Sequence, residues 1–383
     1  MITFSVREPR RTARRQERVG NRPVGAGVKS CRHGAGRPEN LLRTRVATED
    51  ARPVEIRPIN AQDDAFAGWY DVYVAAWDAD YPDGPRWLEH ELKVIYEGSD
   101  QHDALLWLAE DDGKAVGAAL LGLPLRDNLS LGEPEVYVRP EHRRRGIGTA
   151  LLRELESAAE SAGRTSLLTY LEGPVDTTES TGTAFAEKNG FTRRITEIAR
   201  VQRPPFDLEG IAAAEEAARP HATDYRIATW RDAVPAEYLD EYARLQARMS
   251  TDPPLGELEY EVEVWDEARV RTGEARRERM RRSSWNAAAF AADGTMAGLT
   301  IIGLSADSDE TGFQDTTIVD PAHRGHRLGL LVKAANLREV LADRPGIKSI
   351  WTWNADSNGH MIAINETLGY RVAGWSAGYQ RTL

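Results

Sequence analysis

The chain repeats itself. His142-Arg143-Arg144-Arg145-Gly146-Ile147-Gly148 returns 181 residues later as His323-Arg324-Gly325-His326-Arg327-Leu328-Gly329. Each copy follows a strand-like stretch ending in Val-x-Pro, Val138-Arg139-Pro140 and Val319-Asp320-Pro321, and each precedes a long helical pattern. Gly190-Phe191 is matched by Gly369-Tyr370, and Ile56-Arg57 opens the first copy much as Tyr225-Arg226 opens the second. Three landmarks in one order at nearly one spacing indicate duplication. A period near 180 residues is too long for a solenoid, so whole domains were copied. The expected organisation is an arm at 1–53, a first copy at 54–203, a connector at 204–223 and a second copy at 224–383. The connector's Glu209 to Ala218 reads as helical, hence semi-rigid.

Strands and helices interleave within each copy. In the first, Val54 to Pro58 reads as a strand and Ala61 to Trp77 and Arg86 to Tyr96 as helices. Ala104 to Glu110 and Ala115 to Leu123 form a hairpin around Asp111-Asp112-Gly113. Leu129 to Val138 is the next strand, Ile147, Leu151, Leu155, Ala158 and Ala162 recur at helical spacing, and Thr165 to Leu171 is a buried strand. The second copy repeats the order, with a hairpin at Ala287 to Ala292 and Met296 to Leu304, a strand at Phe313 to Val319, and a helix striped by Leu330, Ala334, Leu337 and Leu341. Ile347 to Trp353 follows as a strand. The fold class expected is α/β, a mixed sheet with helices on both faces, twice over.

Charge is unevenly spread. Residues 1–52 carry twelve Arg and one Lys against five acidic residues, whereas the remainder has a net charge of −19. The arm is rich in Gly, Pro and Arg and is expected to be disordered; it has no apolar core of a secretory signal. The favoured reading is a mis-assigned start, with translation beginning at Val46 or Val54, or a tail without function; nucleic-acid binding by the arm is the weaker reading. There is no apolar run of ~18 to 20 residues to span a bilayer. The single cysteine, Cys31, excludes a disulfide framework and a multi-cysteine zinc site and fits a reducing, cytoplasmic setting. Neither a membrane nor nucleic acid is expected among the partners.

The repeated heptapeptide sits between a strand and a helix, and that position gives it meaning. The first turn of a helix has unpaired N–H groups and a partial positive charge, so it binds anions. Gly146 and Gly148 let the backbone approach a diphosphate without an intervening Cβ, and three arginines add charge for phosphate oxygens. The bland alternative is a tight turn with solvated arginines.

Arg-x-x-Gly-x-Gly after Val-x-Pro, ahead of a long helix, resembles the acetyl-CoA signature of the GNAT superfamily of N-acetyltransferases. The tandem arrangement looks like that of two-domain actinobacterial members. The resemblance implies a sheet that splays open after its fourth strand, with the pantetheine arm in the opening and the pyrophosphate on the loop. Acetyl-CoA would be the cosubstrate, without a metal. The cofactor-binding candidates are Val138, Arg143, Arg144, Arg145, Gly146, Ile147, Gly148 and Thr149 in the first copy. In the second they are Val319, Arg324, Gly325, His326, Arg327, Leu328 and Gly329. Arg327 stands there in place of the first glycine. Asn358, in Asn354-Ala355-Asp356-Ser357-Asn358, resembles the asparagine that contacts the pantetheine arm in the superfamily; a helix N-cap is the equal alternative.

Acetylating an amine requires a neutral amine, a stabilised oxyanion and a proton for the departing thiolate. Glu133 and Glu135 lie two apart on one strand, hence on one face, and are candidates to accept a proton; Asp315, beside Gln314, is the second copy's. The superfamily's usual tyrosine acid falls on Ala186 and Asn365, which cannot serve, so no acid is named. His323 and His326 have metal-site spacing but no evident carboxylate or cysteine partner. Trp351 and Trp353 share one strand face, and Trp265 reads as core more than pocket. Arg276, Arg277, Arg279, Arg281 and Arg282 read as a solvated helix face. The function expected is N-acetyl transfer to an amine of a small molecule or peptide, and the competing reading is a non-catalytic acyl-CoA-binding protein.

Overall fold

The computed structural model describes residues 44–46, 54–252, 254, 256–259 and 261–383. Apart from Thr44–Val46, the arm and the readings made of it lie outside the described residues. The first copy runs β2 (Val54–Ile59), α1 (Phe66–Asp80), α2 (Glu89–Tyr96), β3 (His102–Asp111), β4 (Lys114–Pro124), β5 (Leu131–Val138), α3 (Ile147–Ser161), β6 (Ser166–Pro174), α4 (Thr181–Lys188) and β7 (Thr192–Gln202), with β1 (Thr44–Val46) beside β2. After α5 (Leu208–Ala218), the second copy runs β8 (Arg226–Arg231), α6 (Leu239–Arg248), α7 (Glu267–Arg279), β9 (Arg282–Phe290), β10 (Met296–Ser305), β11 (Gly312–Val319), α8 (Leu328–Asp343), β12 (Ile350–Ala355), α9 (Gly359–Thr367) and β13 (Arg371–Thr382).

The period of two in β3 sorts its side chains between two cores. Leu105, Trp107 and Ala109 face α3 with Leu151 and Leu155. Leu106 and Leu108 face α1 and α2 with Trp69, Tyr73 and Tyr96. Removing each large apolar side chain from water contributes about 2 to 3 kcal/mol, which is why both faces of this strand are apolar. The second copy divides likewise, Ala287 and Ala289 toward α8 and Ala288 and Phe290 toward α6 and α7.

The copies exchange their last strands. β13 pairs with β6 of the first copy from Gly374↔Pro174 to Thr382↔Ser166. β7 pairs with β12 of the second copy from Ile350↔Gln202 to Ala355↔Glu197, and β7 and β13 pair with each other. One sheet results, in the order β1-β2-β3-β4-β5-β6-β13-β7-β12-β11-β10-β9-β8. Every inner edge is thereby paired, where a half folded alone would leave backbone groups of β6 or β12 open. Trp351 and Trp353 stack at 6.0 Å on this seam, beside Tyr81 and Phe313. The connector's helix α5 buries Ile211 and Ala218 against α8.

Two parallel pairings are cut short. β5 meets β6 only at Leu131↔Ser166 and Gly132↔Leu167, and β11 meets β12 only at Gly312↔Ile350 and Phe313↔Trp351. Beyond these pairs the pairing stops in each copy, and between β5 and β6 a cleft opens toward the helix that follows.

The arginine run behaves differently from its expectation as a solvated face. α7 of the second copy lies over α2 of the first, so Arg279 pairs with Glu97 and Arg282 with Glu91, the latter at 2.8 Å with both side chains buried. Arg282 also lies over the rings of Trp87 and Phe313, which stack at 5.1 Å. A helix read without its neighbour gives no sign of such a contact.

Candidate active site

The first loop is made by two residues of left-handed backbone, Arg144 (φ +63°) and Gly146 (φ +82°). Such residues in a tight turn curl successive N–H groups into a concavity that suits an anion. Gly146 is the N-cap of α3 and supplies no side-chain cap. The N–H groups of Ile147, Gly148 and Thr149 precede the first helical bond, from Ala150 N–H to the Gly146 carbonyl at 3.0 Å. A Cβ on Gly146 would meet nothing within 4 Å, so the approach to these donors is open.

The predicted arginines divide by task. Arg144 lines the cavity with no side-chain partner among the described residues. Arg143 forks onto Asp80 at 2.7 and 2.8 Å and donates to the Val138 carbonyl at 3.1 Å, which braces the strand end. Arg145 is drawn away instead, onto Asp111 at 3.0 Å and His142 at 2.8 Å, and is not among the residues lining the cavity.

That cavity has a volume of about 630 Å³ and runs from residues 143–149, without Arg145, past Val138 into the opening between β5 and β6. It continues to the α1 and α2 side of the sheet, where the alternation of β5 projects Glu133, Glu135 and Tyr137. Tyr137 donates to Glu135 at 2.6 Å and sets its ring edge-on to Trp69 and Tyr73. Burial pushes the Glu135 carboxyl above the usual carboxylate range, and the Tyr137 hydrogen bond offsets only part of this. Burial also raises the Tyr137 phenol well above its ordinary value, so it remains a donor. Glu133 meets the His102 ring at 3.1 Å. Gly122 on the adjacent strand makes room for this pair: a Cβ there would lie 2.9 Å from the carboxylate and 3.0 Å from the ring.

His102 and Tyr137 escaped the sequence reading. Tyr137 was legible, two residues beyond Glu135 on the same alternating strand. The cavity wall contributed by the second copy, Glu263, Arg269, Arg276 and Phe313, had no signal in the sequence.

The second loop has the same backbone and different surroundings. Gly325 (φ +90°) and Arg327 (φ +53°) are its left-handed residues, the reverse order of arginine and glycine. The connector lies against it: His326 hydrogen-bonds the His221 carbonyl at 3.0 Å, and Arg327 donates to the Ala217 carbonyl at 3.4 Å. Arg324 pairs with Asp252, Leu328 and Gly329 are buried in α8, and Val319 packs beside Leu328. His323 meets the Tyr225 hydroxyl at 3.0 Å; among the described residues no three His, Cys, Asp or Glu side chains are grouped to hold a metal. Asn358 caps α9, accepting from Met361 N–H at 3.2 Å. Asp315 stands exposed on β11, within the fields of Arg277 and Arg282.

A mixed sheet whose parallel pairing is cut short, followed by a loop of open N–H groups and a helix, present twice, is the architecture of a tandem GNAT acyltransferase, and the first copy carries a GNAT domain. The model of the acetyltransferase (GNAT) domain family matches residues 102–193. The chain is 26% identical over 330 residues to the mycothiol acetyltransferase of Acidothermus cellulolyticus, covering 81% of this chain and 90% of that one. It is 31% identical over 125 residues to the mycothiol acetyltransferase of Nocardiopsis dassonvillei, covering 32% of this chain and 34%, about a third, of the relative. A solved tandem GNAT protein from the clavulanic acid biosynthesis pathway superposes with a TM-score of 0.67 at 25% identity, over 86% of this chain and 98% of that one.

Proposed function

We propose that the first copy transfers acetyl from acetyl-CoA to a primary amine of a small molecule or peptide, by direct attack in a ternary complex. The observation that carries this reading is one continuous cavity joining the anion-binding loop to the Glu135–Tyr137 pair. The open N–H groups at residues 147–149 and Arg144 suit the diphosphate, and the gap between β5 and β6 suits the pantetheine arm. Glu135 then takes the proton of the attacking ammonium as its nitrogen adds to the thioester carbonyl carbon. The carbon–sulfur bond breaks, and the second proton of the nitrogen passes through water to the departing thiolate, which leaves a neutral amide and a thiol. Tyr137 holds Glu135 in place. Glu133 with His102 is the neighbouring pair through which the proton reaches solvent. The second copy closes the acceptor side of the cavity.

The test is thiol release from acetyl-CoA in the presence of an amine panel that includes a mycothiol-type amine, chosen from the names of the relatives. Glu135→Gln should lower kcat by about 100-fold or more, the usual scale for a positioned base, while acetyl-CoA affinity holds. Wild-type kcat/KM should fall on the acid side, as the raised Glu135 carboxyl takes up its proton, at a pH above the normal range of a carboxylate. A chain that binds acetyl-CoA and acetylates no amine would instead be a carrier of the ligand.

A further inference from the structure

The acceptor end of the cavity is walled by the second copy, and its charges are not balanced. Among the arginines there, Arg126 pairs with Asp266, and Arg269 pairs with Asp127 at 2.5 Å and Glu263 at 2.8 Å. Arg276 also lines the cavity, and no acidic side chain of the described residues pairs with it. Its neighbours on the same run are used elsewhere: Arg279 on Glu97, Arg282 on Glu91, and Arg277 toward Tyr242 and Asp315. Burial weakens the hold of Arg276 on its proton, with Arg277 adding to the effect. That is the state of a guanidinium awaiting an anion.

Two enclosed donors of the cavity lining also lack partners, while Glu172 adds a carboxylate from β6. The Trp77 indole N–H and the Gln101 amide nitrogen are enclosed without an acceptor among the described residues. The position of Arg276 also separates it from the phosphate loop. Met280, one turn further on, packs with Trp69, Tyr73 and Tyr96 on the α1 and α2 face. Glu135 and Tyr137 project to that same face, whereas the loop leads into α3 on the other.

We propose that Arg276 receives a carboxylate of the acceptor, so that the substrate is an amine carrying a carboxylate, its ammonium at Glu135 and its anion at the second copy's α7. This rests on the acetyl-transfer reading above. One planar guanidinium matches one carboxylate through paired hydrogen bonds. A phosphate dianion would meet Asp127 and Glu263 here, with Arg276 the unpaired cation at this end among the described residues, which disfavours it. The second copy thus has a task in the reaction without a coenzyme of its own: it reads the acceptor.

The experiment measures kcat/KM for linear amino acids of increasing length, each beside its own primary amide, with wild type, Arg276→Gln and Arg276→Lys. Wild type should prefer the acid over the amide at one length. Arg276→Gln should raise KM for that acid by about 10- to 100-fold, the scale of charge-assisted hydrogen bonds, with kcat changed little. The amide should be unaffected, Arg276→Lys should recover part of the loss, and acetyl-CoA affinity should stay constant in all three. Equal use of acid and amide by wild type, or an Arg276→Gln defect that strikes both alike, overturns the proposal. Acetyl-CoA bound with no amine acetylated overturns the acetyl-transfer reading, and this proposal with it. Amides acetylated as well as acids would overturn this proposal alone.

Discussion

The two loops differ by a transposition and by what lies on them. In the first, arginine and glycine take the two left-handed positions in the order Arg144, Gly146; in the second the order is Gly325, Arg327. A left-handed arginine costs roughly 1 kcal/mol, and both loops accept that cost at one position, so strain does not distinguish them. Cover does. The first loop opens on a cavity of about 630 Å³, whereas the second donates to carbonyls of Ala217 and His221 at the end of the connector. The same backbone turn lies open to a cavity in one place, and in the other the side chains of His326 and Arg327 tie it to carbonyls of the connector. A motif therefore specifies a geometry, and its neighbours decide what the geometry holds.

The largest expected effect tests this contrast directly. Gly146→Asp with Gly148→Asp places carboxylates where the loop presents its N–H groups, and the heat of acetyl-CoA binding should vanish in calorimetric titration. Gly325→Asp with Gly329→Asp should leave one site per chain, at unchanged affinity. Two sites per wild-type chain, one lost with each double substitution, would show that the connector does not cover the second loop in solution.

Much of this was legible. Apolar runs flanking a turn signal located β3, β4, β9 and β10, and the repeated heptapeptide located both loops. The strand exchange was not legible, since Thr192–Gln202 reads as the same strand whether its neighbour is β6 or β12. The acceptor wall was hidden for a related reason. Arg276 belongs to a run of cations that resembles any solvated helix, and only the docking of α7 on α2 turns one of them into the cavity. Asn358 shows the opposite case, in which the simpler of two readings, an N-cap, is the contact observed.

A second contrast concerns the helices behind the loops. Four residues past the second glycine, the first copy has Leu152, buried in an apolar cluster, and the second has Lys333, 1% exposed. The Lys333 ammonium lies 5.3 Å from the Tyr370 ring centre, and burial lowers its pKa from 10.5 to about 7. Below about pH 7 the folded chain carries this charge at full cost. Between about pH 7 and 10.5 the folded amine is neutral while the unfolded one is charged, so folding releases a proton and stability rises with pH. At about 1.4 kcal/mol per unit, Lys333→Leu should stabilise the protein by on the order of 3 to 5 kcal/mol near pH 6, with most of the gain gone by pH 10. Denaturant unfolding at the two pH values measures this, and a gain independent of pH would mean that packing, not charge, sets the difference.

The smallest effect is the most discriminating. Arg327→Gly gives the second loop the glycine of the first and removes one of its two contacts with the connector. Glycine relieves roughly 1 kcal/mol of left-handed strain but adds a comparable freedom to the unfolded chain, roughly 0.5 to 1 kcal/mol, and the 3.4 Å bond to Ala217 is too long to weigh much. Stability should therefore move by less than about 1 kcal/mol. Binding should not change either, because His326 still fastens the loop to the His221 carbonyl. If a second acetyl-CoA site appears in this variant, the missing glycine was the barrier. If it appears only when His326→Ala is added, the connector was.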